Sequence, residues 1–492
     1  MTGLLLAAAV LACGTAPALA VGGMSPSTPF LIPLAAALVA GIGAVGEFLA
    51  AGSFAVWLAA AALAANVAAG AVLVARRRPG RRRGGRRAGP DWLEAAVVAA
   101  ASAWPLAVLA APIIGYDTQA IWLPHAAMVY AGHATLVRDL TNPLYAGSNP
   151  DYPPLAPAAM AVGYLVGGKV DQHLAVVVVA VLNACATGLA ASGLLRLLPD
   201  RLPAGRRLGC LAVVAGLCGA VFGVGGQFAV NGYADVLWAT AAASAVVFGL
   251  LLPPERRNLA VGGFCLAVAA LTKNEGLATS LVIGVLMAWR VWRPAGGIRD
   301  AIRALVLAGL PFIPAAVWQI AVRLRHIADA FFASRSGQAA AYRLGATVPA
   351  MWDRLYLFPV ALAVALAGRW VLGSHRRSLG IGPSLLLWIV AAWAVLALVV
   401  TYTFGSLRIH WWLATSVNRT TIFTNLVFLL DMVTWTVVAL AGAGPPPAGR
   451  HFAGRRSSRT RRPSRSHPVA AASSAAAVAR AIHRPQVHAA GS

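Results

Sequence analysis

The sequence predicts an all-α integral membrane protein, and three observations carry that prediction. Mean hydropathy is +0.73. The 492 residues are 59% hydrophobic and only 11% charged. Many uncharged runs approach the ~20 residues needed to cross a bilayer. These runs are rich in Ala, Leu and Val. Lipid offers backbone groups no hydrogen-bond partner, so such runs span as helices rather than as barrel strands. The expected architecture is a polytopic bundle of about 12–13 transmembrane helices, with surface helices in the large outer loops.

Apolar runs fall near 3–22, 30–50, 53–75, 92–113, 172–195, 208–225, 234–252, 258–272, 276–292, 302–321, 351–371, 380–402 and 421–442. The first ends in "APALA", which resembles a signal-peptidase site but follows no basic segment. It is therefore expected to stay as a helix. Residues 1–75 read as N-terminal extra transmembrane helices, and 76–90 as an Arg-rich cytoplasmic loop. Residues 91–442 form the main transmembrane region, and 443–492 a disordered basic tail without periodicity.

The net charge of +25 sits in clusters between the apolar runs, as in "RRRPGRRRGGRR" from Arg76 to Arg87. Under the positive-inside rule these are cytoplasmic connections, so no nucleic-acid partner is expected; contact with anionic membrane lipids is. Placing 76–87 inside and alternating the spans also puts 196–207, 253–257, 289–303, 375–377 and the tail inside. The same alternation puts 114–171, 223–233, 273–275, 322–350 and 403–420 outside. The five cysteines lie in apolar runs without CxxC spacing, so they read as small core residues.

With no soluble domain in the sequence, any chemistry belongs at a membrane face, and the outer connections hold the residues for it. Segment 114–171 is too long for a passive link. In "GYDTQAIWLPHAAM", helical spacing places Asp117 and His125 on one face, with Trp122 at the interface and the polar groups towards water. "NPDYPPLAP" supplies Asp151 and Tyr152 before a proline pair that stops helical structure. Asp235 opens a span in "NGYADVLWA", and Glu275 follows Lys273 in "LTKNEG".

Each acid has a plain reading as a helix-terminal charge. Asp117 fits it least, because it stands where a span ends. Lys273 sits in an apolar stretch where an unpaired charge is expensive, so it pairs with Glu275 or an aspartate, or it faces an anionic ligand. The last outer loop, "TFGSLRIHWWLATSVNRTTIF", holds His410 and Arg419. Arg419 either snorkels or grips a phosphate with its planar fork. Asp431, inside the last span, is expected to hydrogen-bond to Thr434 or a neighbouring helix, with a proton relay as the alternative reading.

The order of these motifs resembles the C-type membrane glycosyltransferases (GT-C). Within them the chain is most similar to the dolichyl-phosphate-mannose protein mannosyltransferase-like and aminoarabinose transferase-like groups. The resemblance covers roughly 90–440 and rests on motif order and membrane side. It implies inverting transfer of a sugar from a polyprenyl-phosphate donor to an acceptor hydroxyl on a lipid, glycan or protein. It implies Asp117 as general base, Lys273 and Arg419 at the donor phosphate, and Asp235 shaping the site or holding acceptor. Trp122, His125, Asp151, Tyr152, Glu275 and His410 complete the expected acceptor-side set.

Many members carry Asp-Glu at the first-loop position, whereas Asp117 is followed here by Thr118, which leaves the acceptor open. No cofactor is expected, and a divalent-metal requirement stays open. The expected location is a bacterial plasma membrane with the site on its outer face. A transporter or lipid flippase is the second reading, and a non-catalytic scaffold the third.

Overall fold

The computed structural model describes residues 2–77, 92–104, 106, 113–198, 202–295, 297–327, 329, 337–371 and 382–441. Most of the Arg-rich loop, the basic stretch 375–377 and the basic tail lie outside the described residues. Among the described residues helices dominate and no strand occurs, as an apolar, Ala/Leu/Val-rich chain in lipid requires. The chain is an all-α polytopic membrane protein.

Three N-terminal helices, α1 (Thr2–Gly22), α2 (Thr28–Leu49) and α3 (Phe54–Arg77), pack together. They differ in burial: most of α2 lies inside the protein, whereas α3 turns nearly all its surface outward. After α4 (Trp92–Ala103) come the short helices α5 (Leu123–Ala131) and α6 (His133–Thr141). The sequence then forms α7 (Leu155–Gly167), α8 (Gln172–Leu195), α9 (Ala204–Gly225), α10 (Asp235–Val246) and α11 (Arg256–Thr272). The remainder is α12 (Asn274–Ala295), α13 (Ile298–Gly309), α14 (Ile313–Leu324), α15 (Ala340–Arg354), α16 (Phe358–Val371), α17 (Gly382–Phe404), α18 (Ile409–Thr420) and α19 (Ile422–Ala441).

Among the described residues eight segments are long and apolar enough to cross a membrane, or nine if the pair α15–α16, bent by 62°, counts as one. α18 and α19 belong to a single 32-residue segment, Ile409–Leu440. Four apolar helices among the described residues are shorter, α7 and the segment beginning with α10 included. The expected total of about 12–13 is thus reached only by adding these short helices to the full-length segments.

The centre is α10. All twelve of its residues are buried, Asp235 included, which is the signature of a helix surrounded on every side. It continues into a π turn, Val247–Leu251, and Arg290 of α12 donates to the carbonyls of Gly249 and Leu252 at 3.1 and 2.6 Å. α8, α11 and α19 pack around α10 through one contiguous apolar core. Small residues permit this closeness: a Cβ on Gly41 of α2 would stand 3.2 Å from the Leu155 backbone of α7.

α7 departs from expectation. The connection 114–171 reads in sequence as an outer loop, yet its last third is a buried helix packed on α2, α5 and α8. Thirteen residues make ~20 Å of helix, too short to span and so too short to register as an apolar run of spanning length.

Hydrogen bonds tie the expected outer connections together at one end of the bundle. The Gly115 amide donates to Asn231 O at 3.1 Å, and Arg325 to Phe48 O at 2.9 Å. Arg343, buried in α15, donates to the carbonyls of Tyr402 and Thr403 at the end of α17 and of Leu407 just beyond it. This loop end carries the clustered acids; the arginine-rich connections 253–257 and 289–303 join the helices at their other ends.

Candidate active site

The site grows from two turns that clamp each other. Thr118 Oγ1 donates to Asn231 O at 2.8 Å, and the Asp117 amide donates to Tyr233 Oη at 3.1 Å. Gly115 makes this fit possible, since a Cβ there would run into the Tyr233 ring. Burial pushes the Tyr233 hydroxyl up to about 12, so it stays a neutral phenol. The Asp117 backbone is thereby fixed, and its carboxylate meets the Arg419 guanidinium in an ion pair. The two side chains are 15% and 14% exposed, at the rim rather than in the core. Arg419 also lies over the Tyr233 ring, 5.4 Å from its centroid.

Two residues beyond Tyr233 lies the second centre. Lys273 Nζ donates to Asp235 Oδ1 at 2.7 Å and contacts Glu275 Oε1 at 3.2 Å. It also stands 5.5 Å over the Tyr152 ring. Lys273 and Asp235 are 3% and 1% exposed. Lys273 occupies the break between α11 and α12, where an extended residue interrupts helical bonding and aims the side chain across to the start of α10. Of the two sequence readings for Lys273, the pairing with Glu275 and an aspartate is therefore what the fold provides.

Asp151 anchors the third group. Asn274 donates to Asp151 Oδ2 at 2.5 Å, Gln319 donates to Asn274 Oδ1 at 2.8 Å, and Trp318 Nε1 donates to the Asp151 carbonyl at 3.0 Å. Burial, then the negative charges of Asp329 and Glu275, push the Asp151 carboxyl up to about 7. Tyr152 stacks on Trp122 at 5.4 Å and links this group to the first loop. Three carboxylate oxygens here, Asp151 Oδ1, Asp235 Oδ2 and Glu275 Oε2, are buried with no hydrogen-bond partner among the described residues. The ionised acids accept and the Asp151 carboxyl, which holds its proton up to about 7, can accept or donate, so the group suits a ligand rich in hydroxyls.

Asp117 and Arg419 thus form one centre and Lys273, Asp235, Glu275, Asp151, Tyr152 and Trp122 another, joined along the backbone from Tyr233 to Asp235, and two expected site residues fall elsewhere. His125 is buried and hydrogen-bonds Ser148 at 3.1 Å instead of facing water. Burial lowers its imidazole to about 4, so it is neutral. Trp122, expected at the interface, is also buried. The reason is a π turn over Thr118–Trp122, whose wider pitch rotates the face that 3.6-residue spacing assigns. His410 is exposed and hydrogen-bonds Tyr342 at 2.7 Å. Asp431 accepts from Ser384 and Trp388 at 2.8 and 3.1 Å, on a neighbouring helix rather than from Thr434.

Tyr233, Asn274, Trp318 and Gln319 were not singled out by the sequence. A lone glutamine beside a tryptophan in an apolar helix was the available signal for the last two. Among the described residues no group of three or more His, Cys, Asp or Glu is placed to hold a metal ion. No protein-family model, curated protein or solved structure matches this chain.

Proposed function

We propose that the protein is a membrane glycosyltransferase that moves a sugar from a polyprenyl-phosphate donor to an acceptor hydroxyl, with inversion. The observation that carries this reading is the meeting of Asp117 and Arg419 at the rim, 302 positions apart in sequence. A base for the acceptor and a cation for the departing phosphate are the two groups such a transfer needs.

In the proposed reaction Asp117 takes the proton of the acceptor hydroxyl as its oxygen attacks the anomeric carbon from the face opposite the phosphate. The new C–O bond forms as the bond to the phosphate oxygen breaks, and that electron pair leaves with the phosphate. The polyprenyl phosphate is a stable anion and needs a cation rather than an acid, which is the part assigned to Arg419. Lys273, neutralised by Asp235 and Glu275, fixes those two acids in place and leaves the phosphate to Arg419. The unpartnered oxygens of Asp151, Asp235 and Glu275 offer acceptors to sugar hydroxyls. Asn274 and Trp318 keep Asp151 in place, and Trp122 stacks on the neighbouring Tyr152.

The resemblance of motif order to C-type glycosyltransferases supports the reading and suggests an outer-face site in a bacterial plasma membrane. A transporter is the second reading, favoured by the pairing of the buried charges and by the 62° break between α15 and α16.

Membranes containing wild type or Asp117→Asn, given a panel of radiolabelled polyprenyl-phosphate sugars, separate the two. The transferase reading expects label to leave the lipid with wild type and a loss of about 10²–10⁴-fold with the variant. Movement of intact labelled lipid across the membrane, without covalent transfer, would favour the transporter.

A further inference from the structure

The ion pair at the rim raises a difficulty that has a specific solution. A carboxylate bound to a guanidinium is a poor base, because its negative charge is already partnered. The same contact occupies the Arg419 guanidinium, while Lys273 is committed to two carboxylates inside. We propose that Arg419 is a latch on Asp117, released when the anionic phosphate of the donor takes the guanidinium, so that the base is freed only after donor has bound. This rests on the transferase reading and adds an order of binding to it.

Three features of the site favour exchange over a permanent bridge. The Asp117 backbone cannot follow a moving arginine, because its amide is held on Tyr233 Oη and the preceding Gly115 amide on Asn231 O. Arg419 has somewhere to turn: its guanidinium rests on the flat Tyr233 ring, a surface that tolerates sliding and rotation as a directional hydrogen bond does not. Its Nε is buried with no hydrogen-bond partner among the described residues, which leaves a charged donor unused while the guanidinium faces Asp117. The donor's phosphodiester presents two charged non-bridging oxygens and satisfies the planar fork, including that donor, better than one carboxylate oxygen does.

The consequence is competition between an internal and an external anion for one cation. Linkage then requires that removing the internal anion strengthen binding of the external one. The test is titration of the purified full-length protein with farnesyl phosphate, using wild type, Asp117→Asn and Arg419→Gln, each first shown to elute as a single species in detergent. The latch predicts that Asp117→Asn binds farnesyl phosphate about tenfold more tightly than wild type. Farnesol, which has no charge, should bind both alike. Equal or weaker binding of farnesyl phosphate by Asp117→Asn overturns the latch.

Should that variant not fold, Arg419→Gln decides: affinity falls at least about tenfold if the guanidinium receives the phosphate, and an unchanged affinity overturns the proposal. The latch and the transferase reading fail separately. Tighter binding by Asp117→Asn, with no sugar transfer by wild type from any donor, keeps the latch and sinks the transferase. Transfer by wild type without the tightening does the reverse.

Discussion

The two ion-pair centres at the loop end use the same kinds of side chain for different ends. Asp117–Arg419 is one carboxylate on one guanidinium at the rim, with aromatic carbon beneath it and partial access to water. Lys273 is enclosed, holds two carboxylates at once, and is buried with Asp235 at the head of the central helix. The first keeps partial access to water, so opening it leaves its charges less completely stranded than in the second. The second cannot open, because breaking it leaves buried carboxylates uncompensated. Burial, more than residue type, decides which pair is available for chemistry.

The strongest way to break this comparison is to neutralise each cation in turn. Lys273→Met should cost about 3–5 kcal/mol of stability, through the charges left on Asp235 and Glu275. Arg419→Met should cost less than Lys273→Met, because the rim pair keeps partial access to water, while weakening farnesyl phosphate binding at least about tenfold. Thermal or denaturant unfolding in detergent reads both. Combining Lys273→Met with Asp235→Asn should recover part of the loss, and a double variant as unstable as the sum would refute the coupling.

A somewhat smaller effect should come from Asp151, and its sign is fixed by the direction of its shift. The folded carboxyl lies near 7 against an ordinary 3.8, so the folded state holds the proton more tightly than the unfolded chain. Stability from this group is therefore greatest at low pH and falls as pH rises from about 4 to about 7, by up to the order of 4 kcal/mol. Asp151→Asn should flatten that slope, and an unchanged pH dependence in the variant would show that another group governs it.

The smallest effect is expected at His410. It pairs with Tyr342 on the surface, so His410→Ala should leave transfer within about twofold of wild type and stability within about 0.5 kcal/mol. A large loss of activity would return His410 to the site.

Sequence and structure agree where the signal is an average over many residues. Hydropathy, the spacing of arginine clusters and the shortage of acids sufficed for the fold class and for the end of the bundle where the acids gather. They diverge where one residue changes the phase. The π turn at Thr118–Trp122 turns Trp122 and His125 inward, and nothing in "DTQAIWLPH" announces the extra residue per turn. Likewise α7 is apolar but short, so a length criterion tuned to lipid passes over it. Tyr233 was within the quoted "NGYAD" yet carried no charge to draw attention, although its hydroxyl and ring hold both members of the rim pair.

Gly115 has a consequence for mutational tolerance. It bears no functional group, yet any side chain there displaces the Tyr233 ring, and with it both Asp117 and Arg419. A saturation screen scored by activity should find position 115 about as intolerant as position 117, alanine included. A screen scored by folding should separate the two, because the glycine costs the protein its fit whereas the aspartate costs it only a charge. Comparing the two screens would divide residues that react from residues that make room for them, a distinction that loss of activity alone erases.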